Sequence, residues 1–276
     1  MTRLLFIGDI VGKPGRELVR RGLSGLVASH RIDLVIANVE NAAAGFGVTP
    51  DLADDFLAGG VHVMTGGNHS WDKKEILPYI AEQPRLLRPA NLPPGAPGRG
   101  RVVVRAANGV MVAVVNVMGR VFMTPIDDPF RVVAEEIAAV RDQARVVFVD
   151  FHAEATSEKI AMGWHLDGRA AAVVGTHTHV QTADERVLPR GTAYITDVGM
   201  TGPHDSVIGV ERSAILQRFL TALPQRFDTA TENPRLHGVI VEADEATGTA
   251  ASITRLSLSA QQIEALHSQP AGSTPR

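Results

Sequence analysis

Three histidine-bearing segments each close an apolar run: Gly66-Gly67-Asn68-His69, Asp150-Phe151-His152 and Gly175-Thr176-His177-Thr178-His179. Two further runs close on carboxylates, at Gly8-Asp9 and at Asn38-Val39-Glu40-Asn41. Strand ends that converge on one sheet edge would gather Asp, Glu, Asn and His around a small volume. That oxygen and nitrogen set suits a hydrolytic metal centre, with room for two ions. His177 and His179 are the most specific local signal. Residues two apart share one side of an extended segment but point to nearly opposite faces of a helix, so at the end of a strand both imidazoles can face one ion or two adjacent ions. The competing reading is a pair of surface histidines on a loop.

The other members divide by chemistry. Asp9 is a ligand candidate because the loops after strand C-termini form the crevice of α/β sheets, although a lone Asp there more commonly caps a turn. Glu40 can bridge two cations through its two oxygens, and Asn41 and Asn68 can add neutral amide oxygens. His152 ends a buried strand, an odd core position for an unpartnered imidazole. His69 is placed as a proton donor: a phosphoester leaving group needs a proton as its P–O bond breaks, and a histidine suits that task. Asp72 could orient His69, but capping the next helix is the expectation. His204 reads as a surface-loop histidine rather than a substrate contact, and His30, His62, His165, His237 and His267 as structural or solvent-exposed.

The elements that must position these residues follow from periodicity. Runs at 4–7, 33–39 and 61–64 read as strands, with helices at about 15–29, from Thr49-Pro50, and at 72–81. Thr49 is the expected N-cap and Pro50 the first helical residue. This β-α-β-α-β-α order argues for parallel pairing and a layered α/β fold. Residues 84–100 read as a loop, and Asn108-Gly109 between apolar runs is a hairpin signal. Helices at 127–141, 156–164 and 211–223, strands at 146–151, 171–174 and 193–197, and a closing hairpin around Thr247-Gly248 complete the pattern. Residues 1–267 are expected to form a single domain, and 268–276 a disordered tail.

Bulk composition narrows the function. Of 276 residues, 45 % are hydrophobic and 21 % charged, with a net charge of −3, so no basic field points to nucleic acid or to an anionic membrane. RNA therefore stays an alternative that charge does not support. The absence of cysteine excludes disulfides, iron–sulfur clusters and thiol catalysis. No apolar run reaches membrane-spanning length, and Met1-Thr2-Arg3 leads straight into a strand pattern without a secretory leader, so a cytoplasmic protein is expected.

In order along the chain, Asp, Glu-Asn, Asn-His, His and His-x-His each follow a strand. This order resembles the calcineurin-like metallophosphoesterases. Gly8-Asp9-Ile10-Val11-Gly12, Asn38-Val39-Glu40-Asn41, Gly67-Asn68-His69-Ser70-Trp71-Asp72, the segments 150–159 and 175–182, and Thr196-Asp197-Val198-Gly199-Met200-Thr201-Gly202-Pro203 resemble the bacterial YmdB-like branch of that superfamily. Val11 stands where the superfamily's Asp-x-His histidine would be, and Glu40 where its bridging Asp usually sits; both departures fit the branch. The resemblance implies a β-sandwich of two mixed sheets flanked by helices, a four-layer α-β-β-α fold. It implies a dinuclear phosphodiesterase acting on cyclic nucleotides, 2′,3′-cyclic and also 3′,5′-cyclic. Asp9, Glu40, Asn41 and His179 would hold one ion, and Glu40, Asn68, His152 and His177 the other. His69 would be the acid opposite a metal-bridging hydroxide. The histidine-poor first site favours two divalent or trivalent ions, iron or manganese, over zinc. Two alternatives remain: a phosphomonoesterase such as a nucleotidase, with Arg120 or Lys159 balancing the extra charge, or a regulatory nucleotide- or RNA-binding protein with little turnover. Self-association stays open.

Overall fold

A computed structural model describes residues 1–268; the expected tail lies, apart from Ser268, outside the described residues. The elements run β1 (Thr2–Ile7), α1 (Gly12–His30), β2 (Leu34–Asn38), α2 (Pro50–Ala58), β3 (Val63–Thr65), α3 (Ile76–Glu82), β4 (Arg101–Arg105) and β5 (Met111–Met118). They continue α4 (Pro129–Val140), β6 (Val146–His152), α5 (Thr156–Leu166), β7 (Ala172–Thr176), β8 (Arg186–Val187), β9 (Ala193–Ile195), β10 (Gly202–Pro203), α6 (Arg212–Thr221), β11 (Pro234–Ala243), β12 (Ala250–Ser259) and α7 (Ala260–Ser268).

Both sheets are mixed, as expected. The first has the order β10-β11-β1-β2-β3 with β12 beside β11; the second has the order β4-β5-β6-β7-β9-β8. The β1-β2-β3 and β5-β6-β7-β9 blocks are parallel, and antiparallel strands flank them. The parallel strands are apolar on both faces because both faces are covered. Alternation along β1 shows this directly. Leu4 and Phe6 enter the layer between the sheets with Val114, Phe148 and Val174, where Phe6 stacks on Phe148 at 5.4 Å. Leu5 and Ile7 face the opposite way, onto Leu18, Leu23 and Leu26 of α1. The outer face of the second sheet packs Val115, Val147 and Val149 against Val133 and Ile137 of α4 and Met162 of α5. Three apolar layers therefore separate four layers of secondary structure, α-β-β-α.

Thr49 caps α2 as expected, accepting from the Leu52 N–H, with Pro50 at the first position. The β4–β5 hairpin closes through Gly109 at φ +89°, a conformation that favours glycine. Other boundaries differ. The helix expected from Asp72 begins only at Ile76, and its first turn has no side-chain cap. The short strands β8 and β10 and the helix α7 were not expected; two-residue strands carry no readable period, and α7 packs through Ile263 onto α1 at Gly22. No helix among the described residues is long and apolar enough to cross a membrane.

Candidate metal centre

All the expected donors lie beyond the C-terminal ends of parallel strands, where open α/β sheets place their crevices. Asp9 follows β1, Glu40 and Asn41 follow β2, Asn68 and His69 follow β3, His152 ends β6, and His177 and His179 follow β7. The first five hang on one sheet and the three others on the second.

His152 is fully buried at the centre of the cluster. Its Nε2 lies 2.9 Å from Asn68 Oδ1, 3.1 Å from Glu40 Oε1 and 3.0 Å from His177 Nδ1. One atom each of Glu40, His152 and His177 fall within 4.8 Å of one another, near enough to share an ion. The second Glu40 oxygen accepts the His69 backbone N–H at 3.0 Å. Asp9 accepts the His177 backbone N–H through Oδ2 at 3.2 Å, and its Oδ1 lies 4.0 Å from His179 Nε2. Gly67 makes this convergence feasible, because a Cβ there would collide with Glu40 Oε2 and the His152 ring.

The donor set fits a cation on two grounds. Asp9 Oδ1 and Asn41 Oδ1 are buried without a hydrogen-bond partner among the described residues, and an orphaned buried oxygen is costly unless something positive faces it. The Asn41 amide nitrogen is already spent on Gly45 O at 2.9 Å, which leaves its oxygen as the free group. In addition, three lone-pair donors crowd within about 3 Å of one imidazole nitrogen, an arrangement that a single proton cannot satisfy.

Electrostatics agree. Burial would lift the Glu40 carboxyl, but the His152 imidazole and then His69 hold it down at about 2. Burial alone would keep His152 neutral, yet Glu40 and then Asp9 raise it to about 9. Burial, followed by the charge on His152, pushes His177 down to about 3. Burial raises Asp9 against the pull of His179 and His152. A bound cation would reverse that last shift by favouring the carboxylate.

The partners behind the donors were not anticipated from sequence. Thr176 Oγ1 donates to Asp150 Oδ1 at 2.7 Å and therefore accepts from His152 Nδ1 at 3.0 Å, leaving Nε2 as the donor nitrogen. Asp150 also accepts from Thr65 Oγ1 at 2.5 Å and Asn38 Nδ2 at 3.2 Å, and burial lifts it to about 6. His179 Nδ1 is held by Ile208 O at 2.8 Å, and His177 Nε2 by Glu154 Oε2 at 3.0 Å. A carboxylate inside an apolar run, as at Asp150, was the available signal.

His177 and His179 do not share a side through strand periodicity. β7 ends at Thr176, and both histidines adopt left-handed backbone, φ +100° and +65°. Each such residue costs about 1–3 kcal/mol unless the surroundings hold it. Here Asp197 does so. Its Oδ2 accepts both the N–H and Oγ1 of the intervening Thr178, at 3.1 and 2.7 Å, and pairs with Lys159 Nζ at 2.6 Å. Lys159 is thus buried and committed, so it supplies no charge to a substrate. Arg120 is likewise turned to Asp128, at 3.4 Å. Asp72 is not a helix cap; its Oδ2 lies 2.8 Å from His69 Nδ1. His204 and His237 form a ring pair at 4.4 Å, apart from the donors.

The pattern of the YmdB-like protein family matches residues 5–256. A Bacillus subtilis protein named 2′,3′-cyclic-nucleotide 2′-phosphodiesterase is 51 % identical over 254 residues, 92 % of this chain and 96 % of that one. A crystal structure of a Thermus thermophilus protein described as hypothetical superposes with a TM-score of 0.86 at 43 % identity, covering 94 % of this chain and 99 % of that one. A Mycoplasma pneumoniae structure described as a novel phosphatase gives 0.87 at 34 %, covering 94 % and 93 %. With its donors placed as the motif order required, and its sheets and helices layered as that order implied, the chain belongs to the YmdB-like family.

Proposed function

We propose that this protein is a metal-dependent phosphodiesterase that hydrolyses cyclic nucleotides, with 2′,3′-cyclic phosphates as its main substrates. The observation that carries this reading is the convergence of Asp9, Glu40, Asn68, His152, His177 and His179, with Asn41 on the wall of the same cleft and the Asp9 and Asn41 oxygens left without partners. The name of the Bacillus relative supports the substrate class. In this reading Asp9, Glu40, Asn41 and His179 hold one cation, and Glu40, Asn68, His152 and His177 hold another, iron or manganese. Bound there, the cations supply an activated water and neutralise charge on the phosphate.

The chain's own residues do the rest. His69 lines the cleft beside Glu40 and His177. With Nδ1 on Asp72, its Nε2 gives a proton to the leaving ribose oxygen as the P–O bond breaks. Glu40 holds the His69 backbone through Oε2, which ties the acid to the donor cluster. Donors from both sheets meet in one cluster, which favours residues 1–267 acting as one catalytic unit, and the absence of cysteine suits a reducing cytoplasm.

The charge of the cleft favours a diester. None of the described residues lining it is Lys or Arg, whereas Glu154 and Asp228 are acidic. A monoester brings an additional negative charge that nothing from the chain is placed to balance. Metal-loaded protein should therefore cleave bis-p-nitrophenyl phosphate and 2′,3′-cyclic AMP faster than p-nitrophenyl phosphate; faster monoester cleavage would refute the assignment.

A further inference from the structure

Beside the donors the cleft has a wall of a different character. Val11, Ala44, Phe46, Ile208, Val210 and Phe227 line it, and it opens directly from His69 and His179. Phe46 sits on the loop after Asn41, its ring edge-on to His69 at 4.9 Å. Phe227 arrives from a separate excursion of residues 211–228. That excursion is closed at its base by the Val210–Thr229 bridge and by the Glu211 N–H donating to Asp228 O at 3.0 Å. The guanidinium of Arg218 in α6 lies 5.2 Å over the Phe227 ring, within cation–π range. Two aromatic rings on independently anchored segments thus border the space next to the phosphate-binding donors.

We propose that this wall receives the nucleobase of the substrate by stacking and without selecting among bases, with Phe227 as the specificity-determining residue. The inference rests on the diesterase reading and goes beyond it by naming which part of the substrate is recognised. A nucleobase is flat, uncharged and apolar on its faces, and it stacks on aromatic side chains regardless of identity. Reading a base edge would require side-chain donors and acceptors left free for it. Two polar side chains on this cleft already have partners: Thr178 Oγ1 on Asp197 at 2.7 Å, and one oxygen of Asp228 on Arg226 at 3.2 Å. A chain built to cleave any small diester would gain nothing from this wall.

The test compares the four 2′,3′-cyclic nucleotides with glycerol 1,2-cyclic phosphate, which carries the same kind of strained phosphate without a base, on metal-loaded enzyme. The expected result is a kcat/KM for the four nucleotides within about tenfold of one another, and a KM for the baseless diester about tenfold or more higher. Phe227→Ala should raise KM for the nucleotides until that difference disappears, and Phe227→Tyr, which keeps an aromatic face, should restore it. Melting curves of both variants check that the fold is kept, and Phe227→Leu, which preserves bulk without the π face, serves if Ala does not fold. Equal KM for nucleotide and baseless diester in the wild type overturns the inference and leaves the diesterase reading standing. A KM difference that survives Phe227→Ala or Phe227→Leu overturns it too. Cleavage of phosphomonoesters and of no diester overturns both.

Discussion

The Asp72 carboxylate stands 2.8 Å from Nδ1 of His69, three residues away on the same loop. With Nδ1 engaged, the ring is oriented and Nε2 is the nitrogen left to deliver a proton. Asp72→Asn should lower kcat on 2′,3′-cyclic AMP by roughly tenfold, and His69→Ala by about 10²–10⁴-fold. Both should keep the wild-type metal content by elemental analysis. Normal turnover in His69→Ala would remove its role as the acid.

Metal retention should separate the two kinds of residue. Asp9→Ala, Asn41→Ala and His179→Ala each remove a group aimed at one proposed ion, and should purify with less metal per chain than wild type. Equal metal loss in His69→Ala would erase the division between ligands and acid.

Lys159 and Asp197 are each about 1 % exposed and 2.6 Å apart. Lys159→Met leaves a buried carboxylate without its countercharge, which costs about 3–5 kcal/mol. Urea unfolding at neutral pH measures this. A variant as stable as the wild type would mean that water reaches Asp197.

Acid should weaken the fold through His237. Burial and then His204 push its imidazole down to about 4, from 6.5 in an unfolded chain. Between these two values only the unfolded chain binds the proton, so each step down in pH there favours unfolding. Stability is full above pH 6.5 and falls as pH drops toward 4. The loss between pH 7.5 and 5 should be on the order of 1–2 kcal/mol. His237→Gln should flatten that part of the profile, and an unchanged slope would assign the acid sensitivity to other groups.

Much of this site was legible because its donors end strands, and strands with both faces covered announce themselves as apolar runs. Asp9, Glu40 and His152 interrupt or close such runs, so their positions along the fold could be read directly. What was not legible depends on long-range contact. From sequence Lys159 could supply charge to a phosphomonoester, and only the approach of Asp197, 38 residues later, commits it to the interior. Asp72 looked like a cap because an Asp before a helix commonly is one. The pairing of His204 with His237 joins the segment after β10 to β11, and nothing local in either segment signals it. The left-handed backbone of His177 and His179 was hidden as well, since a two-residue spacing is compatible with both a strand and a tight bend.

The donors are split between two sheets that meet largely through apolar side chains, which can slide with little directional penalty, apart from the Asp150 bonds to Thr65 and Asn38. Ions gripped by Glu40 and Asn41 from one layer and by His152, His177 and His179 from the other would act as a rivet through the sandwich. Chelation would then do more than silence the enzyme. It would release the shear between the layers, so the demetallated protein should open first along the seam where β1 and β7 end.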